Sequence, residues 1–472
     1  AGRPAWIRIK GNSIIDERFS HLDVALIEDD PVFGGTCLNR GCIPTKMYVY
    51  PATIAQKTRE VKHLGVDAHV DAVHWAQIRD RIFASRIDQI SAGGRDWRAG
   101  LPNVDFYDQY ARFVGSHTVE LTDGTRLQGR QIVVAAGSRA VLPPVPGIDS
   151  SKVYTNDNVM RMDELPARMV VIGGGVIAAE FSHVFSAFGT EVTQLNRSSR
   201  LLRGVDEEVV ARFEEAASKQ WNIVKDASLS EIRENADGSV TVVAKRTTEN
   251  GEELLEIPAD AVLVATGRRP NTDTLNAKNY FDVQDGGQLI VDKYQRVLYN
   301  GVPVPGVYAL GDVSSRYQLK HVANHEARVV QHNLSHPEDL RASDHRYVPG
   351  AVFSNPQIAV VGMTEEQARE AAEREGFEIT VKAQNFGDTA YGWAMEDKIG
   401  LCKLIARKDN GVLLGAHLVG EESSVLIQPL LQAMSFGMDA RTLARGQYWI
   451  HPALTEIVEN ALLGLEFDEP AN

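Results

Sequence analysis

Cys37 and Cys42 are the residues whose type and spacing most directly offer chemistry. They stand in the segment GGTCLNRGCIPTK, residues 34–46, of a chain with 3 cysteines in 472 residues. In an ideal helix, positions five apart place their Cα atoms roughly 8–9 Å from each other, and a disulfide needs less than about 7 Å. The pair can bridge only where the backbone departs from a helix, which Gly41 permits. Pro44 suits the first turn of a helix, so Cys42 would lie near a helix N-terminus, where the dipole lowers a thiol pKa. The rival readings are two small buried residues, or half of a zinc site. Zinc needs further ligands at close spacing, and Cys402 is remote with no paired motif, so no metal is expected.

A second constellation is VVIGGGVIAAE, residues 170–180. It carries the frame Gly173-x-Gly175-x-x-Ala178 between an apolar run and a helical pattern. Gly173 allows a tight turn, Gly175 lets backbone approach a pyrophosphate, and Ala178 lets helix pack closely on strand. The next apolar run, EVTQLN, ends at Asn196, with Arg197 and Arg203 beyond it and no acid between. An NAD site wants a carboxylate there for the ribose 2′-hydroxyl, whereas two cations suit a 2′-phosphate. The expected ligand is NADPH; the alternative is a solvated basic turn.

These sites need elements that hold them. The runs VALIE (24–28), QIVVAAG (131–137), MVVIGGG (169–175), AVLVATG (261–267) and GVYALGD (306–312) are β-branched and mostly end at glycine. They read as buried parallel strands, and the helical patterns between them at 176–189 and 206–219 predict α/β domains. After residue 346 the pattern changes to IAVVG (358–362), LCKLIAR (401–407) and GVLLGAHLVG (411–420), then helices at 421–437 and 453–464, a separate α+β domain. The Pro- and Gly-bearing stretches at 143–147, 302–306 and 349–350 are candidate boundaries. The formal net charge of −14 argues against a nucleic-acid partner. No run reaches the ~18 apolar residues of a membrane span and no signal core opens the chain, so the expected compartment is the cytoplasm. There a cysteine pair is more often catalytic or metal-binding than structural.

GGTCLNRGCIPTK, AVLVATGRRPN (261–271), VYALGDVS (307–314) and IHPALTE (450–456), in this order, resemble the motifs of the flavoprotein pyridine nucleotide-disulfide oxidoreductases, the family of glutathione reductase, lipoamide dehydrogenase and mercuric reductase. The resemblance covers nearly the whole chain. It implies two Rossmann-like nucleotide-binding domains, for FAD and NADPH, and a C-terminal α+β dimerisation domain. The divisions expected are 1–145 and 273–345 for FAD, 146–272 for NADPH and 346–472 for dimerisation. Electrons would pass from NADPH through FAD to a redox-active Cys37–Cys42 disulfide. Cys42 would be the flavin-facing, charge-transfer sulfur and Cys37 the interchange thiol. Lys46, at i+4 from Cys42, would face the flavin and pair with Glu180. His451 would be the general acid/base, oriented by Glu456, and would come from the partner subunit of a homodimer. Gly11, Glu28, Gly35, Thr36, Gly137 and Asp312 would hold FAD; Gly173, Gly175, Ala178, Arg197, Arg203 and Gly267 would hold NADPH.

The longer runs GNSIIDERF (11–19), GCIPTKMYVY (41–50), LKHVANHEARVVQHNL (319–334), AYGWAMED (390–397) and ARGQYWIHPALTEIVENALLGL (444–465) resemble the actinobacterial branch of the family that acts on mycothione, the symmetrical disulfide of the sugar-inositol thiol mycothiol, and that resemblance implies mycothione as the substrate. Arg40, Tyr48 and Trp393 are candidate contacts for its head group. The alternatives are another low-molecular-weight disulfide, a dihydrolipoamide dehydrogenase-like activity, and a non-catalytic dimeric nucleotide-binding relic. The last arises because the family's first Gly-x-Gly fingerprint is missing: residues 6–10 read WIRIK, with Ile7 and Ile9 aligned to the leading glycines and Gly11 remaining.

Overall fold

The computed structural model describes the strand at residues 5–9 and residues 17–468. Three sheets organise it. The first has six strands in the order 296–299, 302–309, 131–134, 5–9, 23–27, 104–107. Its last five strands run parallel, and 296–299 pairs antiparallel at the edge. The second has five parallel strands in the order 222–224, 191–195, 168–172, 261–264, 153–154. The third is antiparallel, in the order 350–352, 357–362, 413–420, 401–407, 379–385. The fold is therefore α/β: two Rossmann-like nucleotide-binding domains followed by an α+β dimerisation domain. Val24–Ile27, Met169–Ile172 and Ala261–Val264 are buried without alternation, as strands covered on both faces must be.

Five helices position the chemistry: α1 (Gly35–Asn39), α2 (Cys42–Glu60), α3 (Val176–Ala187), α4 (Lys320–Ser335) and α5 (Glu456–Leu463). α2 packs on α3 through a core that includes Tyr48, Ala52, Ala178, Phe181 and Phe185, with Trp75 stacked on Tyr48 at 4.9 Å. This contact ties the first nucleotide domain to the second.

Two sequence readings are corrected. The stretch 302–306 is not a boundary but lies inside the strand Val302–Ala309. Gly306 there has φ +77°, and a Cβ would stand 2.4 Å from Arg130 O, so this glycine serves close strand approach. Ile7 and Ile9 are not loop residues at the fingerprint positions. Their backbone lies in strand Ala5–Ile9, in register with Ala25 and Ile27 on one side and Ile132 and Val134 on the other. In the second domain Ile172 pairs with Leu195, and the glycine turn begins one residue later at Gly173. Gly11 itself lies outside the described residues.

Two small antiparallel sheets, strands at 111–121 with 126–128 and strands at 227–259, had no counterpart in the sequence reading. No helix among the described residues is long and apolar enough to cross a membrane.

Candidate active site

The cysteines sit across a break between two helices. Cys37 is on α1, which ends at Asn39, and Cys42 is the first residue of α2. The junction is Gly41, whose added Cβ would stand 3.0 Å from Thr36 O. The chain folds back tightly enough for the two sulfurs to touch because this residue has no side chain. Both are free thiols, and Cys37 donates a hydrogen bond to Cys42. That bond, then desolvation, raises the Cys37 thiol far above its ordinary range. Cys42 is lowered to about 7, first by the same bond and then, against burial, by the Lys46 cation. Cys42 is thus the sulfur that carries charge, as expected at a helix N-terminus.

Lys46 and Glu180 meet as the sequence predicts. Lys46 Nζ lies 2.6 and 2.7 Å from the two carboxylate oxygens, and Glu180 on α3 is 5% exposed. Glu180 also accepts from Phe353 N at 2.9 Å, and Lys46 Nζ stands 4.5 Å over the Phe353 ring. Phe353 carried no sequence signal, since its contribution is a backbone N–H and a ring brought in from a distant segment. Cys42, Lys46, Tyr50, Arg81 and Phe353 line an open groove of about 630 Å³.

Open backbone and acidic side chains lie at and just beyond strand ends of the first sheet. Gly35 and Gly137 have φ +74° and +67°, and a Cβ on either would meet nothing within 4 Å. Asp312 follows the strand 302–309, and its Oδ2 accepts from Ser138 Oγ at 2.7 Å. Thr36 lies beside Gly35 on α1. Glu28, one residue past the strand 23–27, is buried and accepts from Asp30 N. Open glycine backbone and carboxylates at the carboxyl ends of a parallel sheet fit FAD.

The glycine turn at 173–175 follows the strand 168–172 and opens α3. A Cβ at Gly173 (φ +140°) would stand 2.3 Å from Ala265 O, and one at Gly174 2.3 Å from Asn196 Oδ1. Gly175, which caps α3 with extended backbone, faces open space. Two glycines close the turn and the third leaves room for phosphate. Ala178 is fully buried against the sheet. Gly267 (φ +138°) is likewise open. Asn196 is buried and donates to Ser198 O, Ser198 Oγ and Arg200 O, so it shapes the turn. Arg197 and Arg203 emerge exposed from that turn, Arg203 donating to Ser198 Oγ at 3.2 Å.

His451 and Glu456 form a local pair at the start of α5. His451 Nδ1 is 2.7 Å from Glu456 Oε1, which leaves Nε2 free to face outward, and the His451 side chain is 72% exposed. Glu456 also accepts from Ala453 N. No hydrogen bond joins His451 to Cys37 or Cys42 among the described residues. Of the head-group candidates, Tyr48 is corrected: it is fully buried and donates to Met160 O, a packing role. Arg40 is engaged by Asp30 at 2.6 and 2.9 Å, and Trp393 is exposed. Cys402 is buried in the third sheet, and desolvation raises its thiol.

Sequence comparison agrees with this geometry. The family description pyridine nucleotide-disulphide oxidoreductase matches residues 12–327, and its dimerisation domain matches residues 348–462. The chain belongs to this family of FAD- and NAD(P)H-dependent flavoprotein disulfide oxidoreductases. It is 49% identical to the mycothione reductase of Mycobacterium tuberculosis (strain CDC 1551 / Oshkosh), over 96% of this chain and 97% of that one. It is 34% identical to a dihydrolipoyl dehydrogenase of Haloferax volcanii, over 93% and 91% of the two chains. Among solved structures it is similar to the Cu(II) complex of the HOCl-induced flavoprotein disulfide reductase RclA of Escherichia coli, with TM-score 0.82, 26% identity, and coverage of 98% and 99%.

Proposed function

We propose that the chain reduces mycothione to mycothiol at the expense of NADPH, through FAD and the Cys37–Cys42 pair, as a homodimer in the cytoplasm. The observation that carries the chemistry is the dithiol held across the Gly41 break beside Lys46–Glu180. The relative at 49% identity over 96% of this chain supports the substrate. Residues 1–145 and 273–345 would carry FAD through Gly11, Glu28, Gly35, Thr36, Gly137 and Asp312. Residues 146–272 would carry NADPH through Gly173, Gly175, Ala178, Gly267, Arg197 and Arg203, and 346–472 would dimerise. When bound, FAD would supply two-electron transfer between a nicotinamide hydride and the cysteine pair.

The chain's own residues then act on the substrate. Cys37 holds its proton in the dithiol, so it becomes a nucleophile only when a base takes that proton. The partner subunit's His451, exposed and oriented by Glu456, is that base. Cys37 sulfur attacks one sulfur of the substrate disulfide, forming a mixed disulfide. The leaving thiolate receives the proton from His451 and departs as the first thiol. Cys42 thiolate then attacks Cys37 sulfur, the second thiolate leaves and takes a proton from water, and the Cys37–Cys42 disulfide is formed. Two electrons and two protons reach the substrate. Lys46 keeps Cys42 anionic between turnovers, and Glu180 fixes Lys46.

The experiment reduces the purified flavoprotein with NADPH anaerobically, titrates thiols, and compares turnover with mycothione, glutathione disulfide and lipoamide. Two new thiols per chain and preferential turnover of mycothione are expected. Turnover of the other disulfides without mycothione overturns the substrate. No flavin band and no thiols gained after adding FAD overturn the enzymatic reading in favour of a nucleotide-binding relic.

A further inference from the structure

We infer that His345 is a positioning residue for the flavin loop: its imidazole stands against the buried carboxylate of Glu326, which in turn holds the Gly311 amide and so the neighbouring Asp312. The inference rests on FAD lying at that loop. Glu326, on α4, is 1% exposed and takes no part in the chemistry above. Its Oε2 accepts from Gly311 N at 2.7 Å. Its Oε1 lies 3.1 Å from His345 Nε2, and among the described residues no other basic side chain is within ion-pair distance of it.

A carboxylate shut away from water needs a donor on each oxygen, or its lost hydration goes uncompensated. Gly311 supplies the donor to Oε2, and the His345 imidazole is the polar group set against Oε1. The approach lies off the hydrogen-bond axis, so the contact is an attraction between groups rather than an aligned bond.

What Glu326 grips is the turn that matters. Gly311 has φ +70°, and a Cβ there would stand 3.4 Å from Ala323 Cβ on α4. The next residue is Asp312, whose carboxylate is held by Ser138. His345 is fixed in its turn by Tyr317, whose hydroxyl donates to His345 O at 3.1 Å and whose ring centroid is 5.7 Å from the imidazole. His345 lies on the segment between α4 and the strand Gly350–Val352, where the chain enters the dimerisation domain. One buried carboxylate therefore couples that entry segment to the flavin loop.

The test compares wild type, His345→Ala and the double variant His345→Ala, Glu326→Gln in the full chain, by FAD affinity from flavin fluorescence. His345→Ala is expected to weaken FAD binding about tenfold or more, and the double variant to recover it to within about threefold, because a neutral amide needs no counterpart. Unchanged affinity in the single variant, or no recovery in the double, overturns the assignment. Hydrogen exchange at the Gly311 amide is read in parallel. It should speed about tenfold in His345→Ala and return to the wild-type rate in the double, with or without flavin. A wild type that takes up no FAD would overturn the flavin reading alone, and unchanged Gly311 exchange would then overturn the positioning role. If His345→Ala yields no folded protein, a folded, FAD-binding double variant supports the assignment and an unfolded one overturns it.

Discussion

Replacing Lys46 by methionine should move the Cys42 thiol in one direction, and replacing Glu180 by glutamine should move it in the other. Cys42 is lowered to about 7 chiefly by the bond from Cys37, and then by Lys46 acting against burial, while Glu180 pushes the other way. Lys46 stands one helical turn from Cys42, about 6 Å away by helix geometry. Two unit charges at about 6 Å, in an effective dielectric of about 40 suited to a half-exposed site, interact by about 1.4 kcal/mol. That is about a tenfold change in acid dissociation. At pH 7 the Cys42 thiolate should fall from about one half of molecules to about one in ten in Lys46→Met. The stranded Glu180 carboxylate pushes it lower still. Glu180→Gln keeps an oxygen for Phe353 N and removes the negative charge, so the thiolate fraction should rise.

The assay is the rate of iodoacetamide alkylation at Cys42 of the reduced chain, followed against pH by peptide mass. The expected midpoints fall in the order Glu180→Gln, wild type, Lys46→Met. One midpoint for all three proteins, or displacement of both variants in the same direction, would refute the assignment of Lys46 as the cation that sustains the thiolate.

Four further outcomes follow from the geometry. Gly41→Ala should destabilise the chain by about 1–2 kcal/mol in urea unfolding and raise the Cys42 midpoint, because the Cβ displaces Thr36 O and loosens the sulfur contact. His451→Ala should slow disulfide-substrate reduction about 10²- to 10⁴-fold while leaving reduction of Cys37–Cys42 by NADPH unchanged in stopped flow. Arg197→Ala with Arg203→Ala should raise KM for NADPH about tenfold or more and leave KM for NADH unchanged in steady-state assays. Lys403→Met should cost about 3 kcal/mol near neutral pH, since Lys403 is buried at 2.9 Å from Asp206 and 2.7 Å from Glu365. Burial opposes ionisation of both carboxylates, but their hydrogen bonds and the Lys403 cation prevail and hold both below the ordinary range. Their contribution is therefore present above the unfolded carboxylate range and lost as pH falls through the lowered values, so the gap between wild type and Lys403→Met should close below about pH 4 in acid unfolding.

The parallel strands were legible because each is a short apolar run ending at a glycine turn. Helix α3 was legible because Ala178 and Phe181 recur at helical spacing behind such a turn. The three strands within 227–259 were not. Segments such as EELLEIPA alternate charge with apolar residues on an exposed hairpin and end at no glycine, so they resemble loop. The Cys37–Cys42 pair, Lys46 and Gly175 were legible because each lies within one local motif. Phe353 and Ser138 were not, because each acts only through a contact more than 170 residues away in sequence. Ile7 and Ile9, aligned from the sequence to the fingerprint glycines, lie instead in a strand. An apolar run shows that a strand exists but not where it ends; the pairing with Ile27 and Val134 fixes the end. With that register, the isoleucines belong to the sheet rather than to a glycine turn.

Glu180 shows why the domains are arranged as they are. Its partner Lys46 belongs to the helix that carries Cys42, the residue itself lies on the helix that opens the second dinucleotide site, and its third contact, Phe353 N, comes from the dimerisation domain. A buried carboxylate with one counter-ion and one backbone donor tolerates little movement of any of them, since separation would leave charge without a partner. Electron transfer from a nicotinamide to a dithiol needs the two dinucleotide sites held at a fixed distance, and the proposed reduction of a substrate needs the dithiol-bearing helix held against the third domain. Both constraints meet at this one side chain. Glu180→Gln should therefore disturb more than the Cys42 thiolate: the amide still fills the space but releases Lys46, and relative motion of the two nucleotide domains should increase. Hydrogen exchange of α2 and α3 in the variant tests this. Faster exchange confined to their facing turns is expected, and exchange equal to wild type would mean that the apolar packing around Tyr48 and Phe185, not the ion pair, sets the domain geometry.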